Sequence, residues 1–373
     1  MSKNIKVGIT HGDCNGIGYE VIIKALNAEG ITDLFTPVIF GSEKVMNFYI
    51  RNCGIDKFPY RRIRHAGEAD GDHVYLVDIN TGELKANPGQ PSEEGGAAAL
   101  AALEMAVEAL HRGDIDVLVT APIDKSTIHG EGFDFVGHTE YLESKLAGDG
   151  EKALMILHND GLRVALVTTH VAVADIASHI TAESISDTVR RLDKSLRRDF
   201  RTGRPRIAVL SLNPHCGDHG VAGDEDDTIT RPTIEALRGE GIMAFGPYAA
   251  DGFFGSGAYK RYDGVVAMYH DQGLAPFKAL AGGNGVNYTA GLPFVRTSPD
   301  HGTGYDIAGR GEADPTSMRQ AIYSAIDIFR SRRDYDRAGR NPLRPLPAEK
   351  KKEKRAADRE ESLPAEPDQP AND

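Results

Sequence analysis

Three histidines stand a few residues beyond β-rich apolar runs: His170 after VALVTT, His215 after IAVLSLNP and His270 after VVAMY, with Asp271 directly following. Neutral imidazole is the commonest nitrogen ligand of Zn²⁺ and similar divalent ions. A trio drawn from three strands is therefore a candidate metal site with one position open for substrate. No HExxH or other local ligand spacing supports the trio, and the competing reading is three histidines that only hydrogen-bond loop carbonyls. Asp271 suits either a carboxylate that orients a ligating imidazole or a cap on the following turn.

A second group of residues has the chemistry of anion binding. Lys278, Asn287 and Arg296 lie in PFKALAGGNGVNYTAGLPFVRTSPDHGTGYDIAGRG and offer a point cation, an amide and a planar fork for phosphate or carboxylate. Gly12, Gly16 and Gly18 in THGDCNGIGYEVIIKAL are neither GxGxxG nor a P-loop. They fit a strand-to-helix turn that exposes N–H groups to an anion, or a plain tight turn.

Positioning these residues calls for an α/β architecture. The runs IKVGIT, PVIFG, VYLVD, DVLVT, ALMIL, RVALVTT, RIAVLSL and GVVAMY alternate with helical patterns and read as largely buried, mostly parallel strands. In open sheets of this kind ligands bind at the carboxyl ends of strands. A helix follows Ser92 as N-cap, with Leu100, Leu103, Val107 and Leu110 on one face and Gly113 as its stop. Further helices are expected over 183–199 and 316–332. After Arg344 the chain is charged, Pro-rich and poor in large apolar residues, so residues 346–373 are expected to be a disordered tail.

The 373 residues, 40% hydrophobic and 26% charged, allow two domains or one large one. A net charge of −12 argues against a general nucleic-acid binder. Three cysteines without a CxxC pair suggest neither a disulfide framework nor a thiolate zinc site. With no signal-peptide pattern and no long apolar window, the expectation is a cytoplasmic protein without membrane contact.

The blocks TAPIDK, GHTEYL, VTTH, LNPHCGDHG, MYHDQG, GVNYTAGLPFVRTSPDHGT and DIAGRGEAD, in this order, resemble the signature of the 4-hydroxythreonine-4-phosphate dehydrogenase family over about residues 5–330. The resemblance implies an isocitrate/isopropylmalate-dehydrogenase-like fold, with two α/β domains flanking a central active-site cleft. Residues 1–135 plus 290–340 would form the first domain, and 136–289 the second, which carries the metal ligands and dimer contacts. It further implies a homodimer with shared active sites. The family's metal ligands fall on His170, His215 and His270, and its substrate contacts on His138, Thr139, Lys278, Asn287 and Arg296. The HGTGYDIAGRGEADP block places His301, Gly302, Thr303 and Asp306 near the cofactor, NAD or NADP. Zinc is the expected ion, with magnesium or cobalt as alternatives. The sequence departs from the family at Cys14, Asn15, Tyr19 and Gly304, where GDPAGIGPE and an Ala are usual.

By this resemblance the chain oxidises the secondary hydroxyl of 4-phosphohydroxy-L-threonine, and the β-keto product loses CO₂, a step of pyridoxal phosphate biosynthesis. The group that takes the hydroxyl proton is not assigned; Asp251 and Lys125 are candidates by type. Within the superfamily the alternative substrates are 4-phospho-D-threonate, 4-phospho-D-erythronate or an aromatic cis-dihydrodiol. Lys278 and Arg296 favour a phosphorylated one. From another class, three histidines on an activated water would make a zinc hydrolase, which would turn over without NAD⁺.

Overall fold

The computed structural model describes residues 4–79, 82, 84–128, 135 and 137–342, and the expected tail at 346–373 lies outside them. All eight apolar runs form strands. The twelve strands are β1 Lys6–Thr10, β2 Thr36–Gly41, β3 Tyr60–Ile63, β4 Val74–Asp78, β5 Val117–Thr120, β6 Leu154–His158, β7 Arg163–Leu166, β8 Arg206–Leu210, β9 Met243–Tyr248, β10 Gly264–Ala267, β11 Val286–Ala290 and β12 Val295–Pro299. They make one sheet in the order β3-β4-β2-β1-β5-β12-β11-β6-β7-β10-β8-β9.

Pairing is parallel except at β12–β11, β11–β6 and β6–β7. Strands from β3 to β12, together with β6, therefore run one way, and β11 with the β7-to-β9 group runs the other. The parallel strands β1, β2, β5 and β10 are buried along their whole length. Burial on both faces explains why they read as continuous apolar runs rather than alternating ones.

Helices cover the sheet as the spacing foretells. The helix Glu93–His111 is capped by Ser92, whose Oγ accepts from Gly95 N at 3.1 Å, and it buries Leu103, Val107 and Leu110. Leu100 is only partly buried, and Gly113 takes φ +70° just past the end. The helix Ala182–Arg198 starts from a reciprocal Thr181–Ser184 capping box. The last helix runs Thr316–Gly339, longer than expected, and buries Met318, Ala321, Ile322, Ala325 and Ile328.

Candidate active site

Arg296 lies on β12 and is 3% exposed. Its Nε and Nη2 both donate to Thr120 Oγ1 at the end of β5, and Nη1 donates to Thr289 Oγ1 on β11 at 3.1 Å. A guanidinium has five N–H bonds, so two remain for a ligand. Burial lowers its pKa to about 10, opposed by the Glu140 carboxylate, so it stays cationic at neutral pH.

Arg296 lines a hollow of about 300 Å³ together with Lys125, His138, Thr139, Lys278, Asn287, His170, His301 and Gly302. All five residues expected to touch substrate thus meet around one cavity. Among the described residues, Asn287 Oδ1 and His301 Nε2 are buried there without a hydrogen-bond partner. Unanswered polar atoms of this kind mark a place where a ligand completes the bonding. Burial, reinforced by Arg296 and Lys125, holds the His138 pKa well below its ordinary value. It is a neutral imidazole at physiological pH. Lys278 Nζ sits 3.5 Å from Asp300 Oδ1, whose pKa is raised by burial against the pull of Lys278.

The histidine trio is only partly gathered. His270 opens the helix His270–Ala281, which packs tightly because Gly273 leaves no room for a side chain: a Cβ there would lie 2.7 Å from Leu166 Cδ2. This approach brings the His170 and His270 ring centres to 6.3 Å. Two imidazoles on one tetrahedral zinc would stand roughly 5 Å apart, so a small adjustment suffices. Each ring has one nitrogen engaged by a carboxylate: His170 Nδ1 faces Glu140 Oε1 at 3.4 Å, and His270 Nδ1 meets Asp271 Oδ1 at 2.7 Å. Among the described residues neither Nε2 atom has a partner, the usual arrangement for a ligating histidine.

His215 lines a neighbouring hollow of about 220 Å³ with Asp251 and Tyr269. Its loop is held in a demanding shape, with His215, Cys216, Asp218 and His219 all at φ between 45° and 58°. The buried Asp226 carboxylate accepts Leu212 N and Asn213 N, both at 2.9 Å. Gln272 ties this loop to the His270 helix by donating to Ser211 O and accepting from Met268 N, each at 2.7 Å. Among the described residues no three His, Cys, Asp or Glu side chains are close enough to hold an ion. The donor chemistry of the histidines suits a divalent metal, but His215 lines a different hollow from His170.

The 301–306 segment packs on the glycine turn. Thr303 O accepts Ile17 N at 2.9 Å, and a Cβ on Gly16 would lie 2.6 Å from Thr303 O. Tyr305 donates to Asp13 Oδ2 and Asp124 Oδ2 at 2.9 and 3.0 Å. His301 and Gly302 reach the candidate cavity, Thr303 lies beneath, and Asp306 is exposed away from it. Of the two readings of the Gly12–Gly18 segment, the plain tight turn is the one its hydrogen bonds favour. Asp13 N, Asn15 N, Gly16 N and Ile17 N donate to Pro122 O, Asp13 Oδ1, Asp13 O and Thr303 O, so the turn is a packing device.

Thr120, Glu140 and Asp300 are polar cavity residues that sequence reasoning did not single out. Thr120 and Glu140 lie within the quoted DVLVTAPIDK and GHTEYL segments, and only the fold reveals their partners. Asp124, beside Lys125, is engaged by Tyr305 and by Ser126, and Lys125 lines the cavity.

Known proteins match this chain along most of its length. Residues 33–325 match the family described as pyridoxal phosphate biosynthetic protein PdxA. A 4-hydroxythreonine-4-phosphate dehydrogenase of Bacteroides thetaiotaomicron is 52% identical over 92% of this chain and 94% of its own. The solved 4-hydroxythreonine-4-phosphate dehydrogenase of Klebsiella pneumoniae is 34% identical, covers 88% of this chain and 98% of its own, and superposes with a TM-score of 0.74. A terephthalate 1,2-cis-dihydrodiol dehydrogenase of Burkholderia xenovorans is 28% identical over 87% of this chain and 98% of its own, with a TM-score of 0.56. With a fold shared at that level and a sequence shared across nine-tenths of its length, the chain belongs to the PdxA family.

Proposed function

We propose that the chain is an NAD(P)-dependent 4-hydroxythreonine-4-phosphate dehydrogenase. It oxidises 4-phosphohydroxy-L-threonine to 2-amino-3-oxo-4-phosphooxybutanoate, which decarboxylates to 3-amino-2-oxopropyl phosphate on the way to pyridoxal phosphate. The observation that carries the reading is the buried Arg296 with two N–H bonds to spare, in a cavity where Asn287 and His301 each keep an unanswered polar atom.

Arg296 and Lys278 hold the phosphate or carboxylate of the substrate, the first as a fixed fork and the second as a mobile point charge. Thr120 and Thr289 keep the fork from rotating, so binding energy is spent on positioning the reacting carbon rather than on ordering the arginine. His138, kept neutral, and Thr139 serve as hydrogen-bonding groups. Asn287 Oδ1 accepts a substrate N–H or O–H. His170, His215 and His270 would hold a divalent ion, zinc foremost with magnesium or cobalt as alternatives, which when bound polarises the substrate oxygen. His301, Gly302, Thr303 and Asp306 would hold NAD⁺ or NADP⁺, which when bound supplies the hydride acceptor; His301 and Gly302 are the two that reach the cavity. Lys125 and Asp251 remain the two candidates for the proton.

The two-part organisation, 1–135 plus 290–340 against 136–289, has support in the sheet order. Strands β1 to β5 and β12 form one contiguous block, β6 to β11 the other, and the β11–β12 pair is the seam. Association into a homodimer has support in Val173 and Val221, 85% and 84% exposed, on the loops that carry His170 and His215. The described residues contain no helix long and apolar enough to cross a membrane.

The test follows NAD(P)H absorbance with 4-phosphohydroxy-L-threonine, 4-phospho-D-threonate and 4-phospho-D-erythronate, after chelation and with each ion restored. Metal-dependent turnover of the amino acid is expected. Arg296→Lys should lower kcat/KM by about 30-fold or more, since a bidentate charge-assisted contact is replaced by a point charge. Turnover confined to the hydroxy acids would reassign the substrate. Unchanged kcat/KM in the variant would remove Arg296 from the anchor.

A further inference from the structure

A larger hollow, about 810 Å³, shares no lining residue with the candidate active site. Val286 faces it while its neighbour Asn287 faces the active cavity, so β11 separates the two. A space of this size is enough to enclose a small metabolite.

The unusual occupant of its wall is Arg163, the first residue of β7. Its guanidinium carbon lies 4.7 Å over the Phe200 ring. Among the described residues its side chain makes no hydrogen bond or close ion pair, and its Nε is buried without a partner. Burial pulls it below the ordinary guanidinium pKa, with Asp263 and Asp160 opposing. Asp263 is already used by the Arg206 amide at 2.7 Å. Desolvating a guanidinium costs several kcal/mol unless its donors are answered.

The remaining charges of the wall do not answer it. Asp199 is taken by Arg332 Nε at 2.7 Å, and also accepts from Ser195 and Tyr288. Asp327 lies 3.8 Å from Arg330. His158, 8% exposed, is hydrogen-bonded to Ser324 Oγ at 3.0 Å and kept neutral by burial. Arg201, which donates to Ser331 Oγ at 3.0 Å, and Lys260 add further cations at the exposed rim. Asp199 and Asp327 are engaged elsewhere and Asp160 is exposed to solvent, while an aromatic face presents a guanidinium whose planar edge is open.

We propose that this hollow is a second ligand site, for a small organic anion whose carboxylate or phosphomonoester head meets the planar edge of Arg163 and whose body lies against Leu280 and Ile328. The head chemistry is that of a bidentate oxyanion, for which arginine is the matched partner.

The test is calorimetric titration of the full-length protein with phenyl phosphate and, separately, with benzoate, which tells a phosphate head from a carboxylate one. Phenyl phosphate is expected to bind at two sites per chain. Arg163→Gln should remove one site, weakening it by about tenfold or more, while NAD(P)H-forming turnover is retained. Arg296→Ala should remove the other. If Arg163→Gln does not fold, Lys260→Gln at the exposed rim should weaken the same site severalfold. Stoichiometry that neither Arg163→Gln nor Lys260→Gln alters, for either anion, overturns the proposal. Loss of no site in Arg296→Ala would count instead against Arg296 as substrate anchor and leave the second site standing.

Discussion

At the scale of single residues, the site depends on side chains that hold other side chains. Asp271 fixes the His270 ring through Nδ1 at 2.7 Å, and Glu140 faces His170 in the same manner. Asp271→Asn is expected to weaken metal retention about 10- to 100-fold with little change in melting temperature. Dialysis against graded chelator followed by metal analysis measures this, and retention equal to wild type would reduce Asp271 to a turn cap. The histidines were legible as a candidate group because each stands within a few residues of an apolar run, and the candidate anchors because Lys278 and Asn287 lie near Arg296 in the sequence. Their separations were not. The distance of His215 from the other two depends on a left-handed loop pinned by Asp226, which no local spacing encodes.

At the scale of elements, the strands that escaped the sequence reading are informative. Besides β3 and β9, these are β11 and β12, VNYTA and VRTSP, which break the apolar pattern where Asn287 and Arg296 line the candidate cavity. A strand that serves a site looks less like a strand. For the glycine turn the plain tight turn is the better reading: two of its N–H groups go to Asp13 within the turn and two to Pro122 and Thr303, far away in the chain. The last helix is joined to the sheet by a buried network, where Arg332 pairs with Asp199 and also donates to Tyr288 OH and Leu292 O. Arg332→Leu would leave the Asp199 carboxylate buried without its cation, at a cost of about 3–5 kcal/mol. Urea unfolding should show the lost stability. A midpoint within error of wild type would mean that water reaches Asp199.

At the scale of the whole molecule, two buried imidazoles make stability depend on pH. Burial lowers the pKa of His11 from 6.5 to about 4 and that of His158 from 6.5 to about 3. Between those values the unfolded chain binds protons that the folded chain refuses, so stability is full above pH 6.5 and falls as the pH drops through this window. At pH 5 each group should cost about 2 kcal/mol relative to pH 7. Comparing urea midpoints at the two pH values in wild type and in His11→Phe with His158→Asn measures it. The double variant should lose much less stability on acidification, and parallel behaviour would assign the acid sensitivity elsewhere.

The two outer strands of the sheet bear on how the protein behaves in a crowd. β3 is four residues long, with Arg61 and Arg62 exposed and Arg62 tied back to Glu43 and Asp78. β9, at the far edge, contains Pro247, which has no N–H to offer a further strand. A newcomer at one edge would have to bury guanidinium groups, and at the other would meet a gap in the ladder. Both ends of a twelve-strand template are thereby closed to runaway strand addition, the route by which exposed edges seed aggregates and fibres. Self-association is thus steered toward side-chain surfaces, where contact can be specific and can stop at a defined number of copies.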